Sequence, residues 1–305
     1  MSGTVPEEAR IFDRRQVRRN RARASAGFGQ ADFLIREVAG RLADRLGDIT
    51  RRFPVALDLG CHMGQLGRAL AGHGGIERLV QADASPEMAA LAGGRAVVCD
   101  EEWLPFAPAS LDAVFSCLSL HWVNDLPGAL VQIRRALRPD GLFLAAMFGG
   151  DTLTELRQAW LQAEAEIEGG VRPRVSPFVD LRDAAGLLQR AGFALPVADS
   201  DRLTVTYPDA LALMRELKSM GEGNAVAERR RSLTRRDTLA MAASLYASRF
   251  AESDGRVRAT FQVIYLTGWA PAAEQQKPLR PGSAAHRLAE ALGAKEHSAG
   301  DKATP

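Results

Sequence analysis

Residues 55–70 read VALDLGCHMGQLGRAL, an apolar segment that runs into an acid and two glycines. The apolar residues predict a buried parallel strand ending at Asp58, and Gly60 and Gly64 leave room for backbone to approach a ligand where a helix begins. The spacing D-x-G-x-x-x-G differs from the G-x-G-x-x-G fingerprint of dinucleotide sites, which holds a pyrophosphate. The stretch therefore predicts a site for a nucleotide-like ligand that lacks a pyrophosphate.

Two further segments each end a predicted strand with an acid. RLVQAD at 78–83 ends in Asp83, and the next helix has Ser85 as its N-cap. RAVVCDEEWLPF at 95–106 predicts a third strand ending in Asp100, with Glu101 supplying backbone contacts. Because an acid about 20 residues beyond a glycine loop is placed to accept hydrogen bonds from ribose hydroxyls, Asp83 is the best single binding candidate.

The remaining strands predict an α/β fold, Rossmann-like, with a mostly parallel seven-stranded sheet and helices on both faces. LDAVFSCLSLHWVND at 111–125 reaches the ligand edge at Ser119, Leu120, His121 and Trp122, and RALRPDGLFLAAMFGG gives the fifth strand. LTVTYP at 203–208 alternates as a sixth strand. TFQVIYLTGWA at 260–270 is the last strand, expected to lie antiparallel at the sheet's end. Ligands bind at the carboxyl ends of strands in such sheets, where all the candidate residues fall.

The composition is that of an ordinary folded protein. Of 305 residues, 46% are hydrophobic and 25% charged, with a formal net charge of +2, enough for one domain with an embellishment or for two domains at most. Cys61, Cys99 and Cys117 have no C-x-x-C spacing, so neither a disulfide framework nor a zinc site is predicted. No apolar run reaches about 20 residues and no signal-peptide pattern follows Met1, so we expect a cytoplasmic protein.

The arginines cluster in two runs, at 11–25 (IFDRRQVRRNRARAS) and at 228–237 (ERRRSLTRRD). Neither run is interleaved with the aromatic residues that stacking on bases needs. We therefore interpret both as solvated helix faces and expect no nucleic-acid partner.

Composition and pattern divide the chain into four parts. These are a basic arm at 1–27, a ligand-binding core at 28–150, a second half of the sheet at 151–271, and a tail at 272–305. A mainly helical insert at about 209–258 is expected to hang over the ligand edge and to select the substrate. The tail is rich in Ala, Glu, Lys, Pro and Ser, which predicts disorder with one short helix at 283–292.

The strand motifs resemble those of class I S-adenosylmethionine-dependent methyltransferases, in which the glycine loop packs against the methionine part of the cofactor. This resemblance implies S-adenosylmethionine as cofactor. It implies that the cofactor-binding residues are Asp58, Gly60, Cys61, Gly64, Asp83, Ala84, Asp100, Glu101, Ser119 and Leu120.

Blocks outside the cofactor motifs resemble the complex I assembly-factor branch of these proteins, whose members are assigned to arginine hydroxylation. The blocks include GGDTLTELR at 149–157, EGGVRPRVSPF at 168–178, YPDALALMRELKSMGEGN at 207–224 and DGRVRATFQVIYLTGW at 254–269. The chain is more distantly similar to malonyl-carrier-protein and trans-aconitate methyltransferases. The branch resemblance implies a respiratory complex I subunit as a partner.

Three functions remain open at the sequence level. Methyl transfer to a protein or small-molecule acceptor needs mainly the positioning of donor and acceptor. His121 is the candidate base, and Asp125 and Asp151 are weaker candidates. The alternative role of His121 is packing beside Trp122. Hydroxylation normally needs a redox metal or flavin, and the five histidines give no His–carboxylate triad; a site that uses His62 and His121 is speculative, so no metal site is predicted.

The third function is a non-catalytic assembly chaperone that grips a subunit with the helical insert and the basic faces. An acidic groove for an arginine would draw on four glutamates of one predicted helix, although a solvated helix face is the favoured interpretation of that set. The four are Glu155, Glu164, Glu166 and Glu168.

Overall fold

The structure is a computed structural model that describes residues 10–275 and Gly293. Its strands are β1 (Val55–Leu59), β2 (Arg78–Asp83), β3 (Arg95–Val98), β4 (Leu111–Cys117), β5 (Leu137–Phe148), β6 (Ala194–Tyr207) and β7 (Val257–Trp269). They form one seven-stranded sheet in the order β3-β2-β1-β4-β5-β7-β6. The first five strands are parallel, and β7 runs antiparallel to both β5 and β6. The predicted fold class is confirmed.

Nine helices accompany the sheet in the described part of the chain. They are α1 (Arg14–Ala24), α2 (Phe33–Gly47), α3 (Gln65–Ala69), α4 (Pro86–Ala92), α5 (Leu126–Ala136), α6 (Thr154–Glu168), α7 (Leu181–Arg190), α8 (Ala210–Ser219) and α9 (Arg236–Phe250). The predicted N-cap Ser85 forms, and Asp125 is a second side chain that reaches a free N–H group at a helix start. Ser85 accepts from the Met88 N–H at the start of α4, and Asp125 accepts from the Gly128 N–H at the start of α5.

Two apolar layers enclose the sheet. On one face α2, α6, α8 and α9 contribute to a layer that includes Phe53, Phe115 and Phe261. On the other face α5 and α7 cover a layer that includes Leu57, Val114 and Phe143. Because β4 and β5 are buried on both faces, their sequences are almost continuously apolar.

The last strand does not lie at the end of the sheet, so that expectation is wrong. Strand β7 lies between β5 and β6, and β6 forms the edge. Strand β6 is also longer than LTVTYP, because it begins at Ala194 and pairs with β7 as far as Tyr207. Its positions from 194 to 206 are all exposed or half-exposed, and its polar residues, such as Asp199 and Arg202, together with Pro196 suit an edge strand and weaken the apolar pattern by which a strand is detected.

The helical insert is confirmed as α8 and α9, which a non-helical segment at 220–235 separates. The predicted tail at 272–305 lies outside the described residues except for 272–275 and Gly293, as do residues 1–9 of the basic arm. Within the described range, none of the helices is long and apolar enough to span a membrane.

Candidate functional site

The loop after β1 is held against β2 by its own backbone. The N–H groups of Gly60 and Cys61 donate to the Ala82 carbonyl at 2.7 and 2.9 Å. Gly60 has φ +72°, and a Cβ there would overlap the Ser119 hydroxyl. At Gly64, with φ +79°, a Cβ would lie 2.6 Å from Gln81 Oε1. Both glycines are therefore required by conformation and by space.

His62, between those glycines, was not predicted to bind the ligand. Its backbone has φ +49°, a conformation that non-glycine residues adopt uncommonly. The ring is buried, lies 3.2 Å from the Leu118 carbonyl through Nε2, and stacks on Phe28 with centroids 5.6 Å apart. These contacts hold the ring in the wall of the site.

Asp58 is fully buried beneath this loop. Neither carboxylate oxygen accepts a hydrogen bond of ordinary geometry from the described residues. Burial, reinforced by the neighbouring charge of Asp83, raises the pKa of Asp58 to about 7. The backbone N–H of Gly67 acts against this rise, and the remaining acceptor positions of the buried acid suit a ligand that brings donors of its own.

Asp83 lies at the end of β2 and is also fully buried. Its oxygens accept from the backbone N–H groups of His62 at 3.0 Å and Ser85 at 2.8 Å. Ala84 and Leu120 are buried beside this edge. The structure thus brings the ends of β1, β2 and β4 together as predicted.

Arg21 of α1 lies inside this group of strand ends. Its side chain is 1% exposed, and Nη1 is 3.2 Å from Asp83 Oδ2 and 2.9 Å from Glu101 Oε1. Its Nη2 donates to the Ser119 hydroxyl at 2.8 Å. Although burial opposes the charge, Asp83 and Glu101 raise the pKa of Arg21 above its usual value. Arg21 is therefore a buried cation that joins three strand ends.

Arg14, also on α1, extends this ion-pair group to Asp100. It pairs with Asp100 at 2.6 Å and, more closely, with Glu101. Burial alone would raise the pKa of Glu101, but Arg14 and Arg21 hold it well below its usual value. The interpretation of residues 11–25 as a solvated face is therefore wrong for Arg14 and Arg21. Glu101 engages these arginines through its carboxylate, in addition to any backbone contact.

His121 is buried in a polar and aromatic environment. Its Nε2 lies 3.1 Å from a carboxylate oxygen of Glu222, and that oxygen also accepts from the Trp122 indole N–H at 3.1 Å. The ring lies 4.7 Å from Phe148 and 5.7 Å from Phe178, centroid to centroid. Burial acts against ionisation of Glu222, yet His121 and Arg21 lower its pKa overall. His121 thus both packs beside Trp122 and has a fixed carboxylate partner.

The two weaker base candidates lie elsewhere. Asp125 caps α5, and Asp151 pairs with Arg202 at the surface. Glu222, in the segment after α8, was missed, because an acid between two glycines in MGEGN carries no periodic signal.

A cleft of about 780 Å³ opens beside Phe178. One wall is the Trp160 face of α6, on which the Arg174 guanidinium stacks at 4.7 Å from the ring centroid while pairing with Glu164 at 2.5 Å. Arg157 donates to three backbone carbonyls, which neutralise none of its charge. The remaining lining residues are Arg10, Ile11, Gly150, Leu161, Val171, Arg172, Pro173, Val175, Pro177, Asp180, Val226 and Glu228.

The four glutamates of α6 do not form one solvated face. Glu155 is buried against Thr260, and Glu164 is buried against Arg174. Glu168 pairs with Arg230, which leaves Glu166 on the exposed side. Most of the arginines in the second run, at 228–237, likewise pair with carboxylates. Within the described residues, no group of three or more His, Cys, Asp or Glu side chains is arranged to hold a metal ion.

Comparisons with known proteins identify the family. A family model described as a methyltransferase domain matches residues 57–145. The arginine-hydroxylase NDUFAF5 of Danio rerio is 43% identical over 281 residues, covering 90% of this chain and 87% of that protein. The chain belongs to the family of this NDUFAF5 protein, and its residues 57–145 match the methyltransferase domain. The human NDUFAF5 protein is also 43% identical, over 92% of this chain and 83% of its own length.

A second group of relatives carries a different named activity. The malonyl-[acyl-carrier protein] O-methyltransferase of Xylella fastidiosa is 37% identical over 87% of this chain and 90% of that protein. Among solved structures, the YcgJ protein of Bacillus subtilis has a TM-score of 0.54 at 15% identity, over 78% of this chain and 99% of that one, and it supports the fold. The predicted resemblance to S-adenosylmethionine-dependent methyltransferases and to the hydroxylase branch is confirmed.

Proposed function

We propose that the chain is a methyltransferase that binds S-adenosylmethionine along the carboxyl ends of β1, β2 and β4 and acts on an acceptor in the cleft beside Phe178. One observation carries this proposal. A fully buried acid under the glycine loop, Asp58, and a second at the end of β2, Asp83, flank a loop in which Gly60 admits no side chain because the Ser119 hydroxyl lies against its backbone. Such an edge suits a ligand with both a donor group and a ribose.

Each binding residue then has a stated task. Asp83 accepts hydrogen bonds from ribose hydroxyls, and Asp58 faces the amino end of the methionine part, whose N–H groups would satisfy its carboxylate. Gly60, Cys61 and Gly64 keep backbone close to the ligand. Asp100, with Glu101, Ser119, Ala84 and Leu120, borders the adenine and ribose.

The cofactor supplies an electrophilic methyl group on its sulfonium. The chain's own contribution is to position the acceptor and, where the acceptor carries a proton, to remove it. We assign that proton to Nδ1 of His121, which has no hydrogen-bond partner in the described part of the chain, while Nε2 faces Glu222. Glu222 fixes the orientation of the ring, as a carboxylate does for a catalytic histidine.

A second function is hydroxylation of an arginine on a partner protein. The observation in its favour is that relatives named arginine-hydroxylase share 43% identity, against 37% for the Xylella methyltransferase. Under this proposal the partner is a respiratory complex I subunit, met at the cytoplasmic side, and a third role is assembly without catalysis. Oxygen chemistry would need a redox group in addition to the described residues.

Mass spectrometry of the complex I subunits separates these functions. The subunits are isolated from cells with and without the gene, at a resolution that distinguishes added oxygen from added methyl. A methyl group that disappears with the gene supports methyl transfer to a protein, and an oxygen on arginine supports hydroxylation instead. No change on any subunit contradicts both protein-modifying functions and leaves small-molecule acceptors, tested by transfer of labelled methyl to cell extract, or assembly alone.

A further inference from the structure

The guanidinium of Arg21 lies at the centre of the edge to which we assign the cofactor. It contacts Asp83 after β2, Glu101 beyond β3 and Ser119 after β4, and its side chain is 1% exposed. With Arg14 on Asp100 and Glu101, helix α1 engages four of the side chains that the resemblance gives to the cofactor. These two residues are called the α1 arginines below.

The α1 arginines and a nucleoside cannot use the same atoms together. Each oxygen of Asp83 already accepts one backbone N–H, from His62 or Ser85, and Arg21 Nη1 lies 3.2 and 3.3 Å from them. A carboxylate offers about four acceptor positions in all, so few remain for two ribose hydroxyls. Protein interiors are close-packed, and a buried guanidinium leaves no volume for a ribose at the same place.

The contacts that hold α1 are separable from the rest of the fold. The helix buries only Val17, Arg21 and Ala24. Its remaining ties include hydrogen bonds from the Asn20 amide to the Gly223 carbonyl and from the Asp13 N–H to the Ala225 carbonyl. It is followed by Ser25, Ala26 and Gly27, which precede the fully buried Phe28, and a Cβ at Gly27 would meet nothing within 4 Å. This segment has the conformational freedom to act as a hinge.

We propose that α1 is a displaceable cover of the cofactor site and that the described conformation is its closed state. The inference rests on the proposed function. In the closed state the α1 arginines neutralise buried carboxylates that would be costly to leave unpaired. The arginines leave Asp83 and Glu101 before these residues accept bonds from the cofactor. The apparent affinity for the cofactor is then the intrinsic affinity multiplied by the fraction of molecules in the open state. The cover therefore sets the cofactor concentration at which the enzyme is loaded.

Calorimetric titration with S-adenosylmethionine tests the cover on the full chain. Arg21→Ala removes the competing cation, and Arg15→Ala on the exposed side of the same helix is the matched control. We expect Arg21→Ala to bind on the order of tenfold more tightly than the unmodified chain, as an increased open fraction requires, and Arg15→Ala to bind equally. Unchanged or weaker binding by Arg21→Ala overturns the inference.

Limited trypsin digestion uses the unmodified chain, so its result does not depend on whether a variant folds. Cleavage within α1, after Arg15, Arg18, Arg19 or Arg23, is timed with and without saturating S-adenosylmethionine. We expect faster cleavage with the cofactor, because α1 leaves the edge. Equal or slower cleavage in a chain that binds the cofactor overturns the displaceable cover and leaves the proposed function standing. If neither the unmodified chain nor Arg21→Ala binds the cofactor, the proposed function fails, and this inference fails with it.

Discussion

Replacing Asp58 by Asn should change how the stability of the protein depends on pH. The carboxyl is fully buried, and its pKa in the folded chain is about 7, against an ordinary value of 3.8. Because the folded pKa is the higher one, the contribution to stability is full below about pH 4 and is lost as the pH rises through about 7. The difference between these two pKa values corresponds to about 4 kcal/mol of unfolding free energy at most.

Urea unfolding at a series of pH values between about 4 and 8 measures this contribution. The difference in unfolding free energy between the unmodified chain and Asp58→Asn should move in favour of the variant by up to about 4 kcal/mol as the pH rises. Asp237→Asn, at an exposed position where Arg235 holds the pKa of the carboxyl below its usual value, is a control whose difference should stay nearly constant over that range, because the acid is charged throughout. A difference that is equally flat for Asp58→Asn would refute the assignment of a buried neutral acid.

Three further substitutions test the site and its support. His121→Ala should lower methyl transfer by about a hundredfold or more while S-adenosylmethionine binding, measured by calorimetry, stays unchanged; lost cofactor binding would place His121 in the cofactor pocket. Glu222→Gln should lower kcat for methyl transfer by about tenfold without changing cofactor affinity, because an amide oxygen holds the His121 ring less firmly than a carboxylate does, and an unchanged kcat would contradict the assigned pairing. Glu164→Ala should cost about 3 kcal/mol of unfolding free energy, since it leaves Arg174 without its buried partner, whereas Glu166→Ala on the exposed side of α6 should change it by less than about 0.5 kcal/mol in the same urea titration.

The sheet and its ligand edge could be predicted because each depends on local pattern. Buried parallel strands read as apolar runs, and the acids and glycines that end them stand at fixed positions along the chain, as Asp58, Gly60 and Asp83 do. The position of β7 could not be predicted in this way. Which of two late strands lies at the edge depends on pairing between residues far apart in the chain, such as Val197 with Thr267, and on the polar residues that β6 tolerates.

The role of α1 was missed although the sequence contains a signal for it. Arg14 and Arg21 are seven residues apart and share a helix face with Val17 and Ala24, two residues that the fold buries. The absence of interleaved aromatic residues favours a solvated face, whereas the spacing of the apolar residues indicates which arginines turn inward. A buried charged side chain needs a partner of opposite charge, and the acids at the strand ends are the partners of these two arginines. Glu222 had no such signal and became visible only through its contacts with His121 and Trp122.

A crystal structure of the full chain with S-adenosylhomocysteine bound would locate the cofactor site. We expect density for the nucleoside at the carboxyl ends of β1 and β2, with the ribose hydroxyls within hydrogen-bond distance of Asp83 and the amino group of the homocysteine part facing Asp58. Density for the ligand in the cleft lined by Trp160 and Phe178, with Asp83 still paired to Arg21, would contradict it.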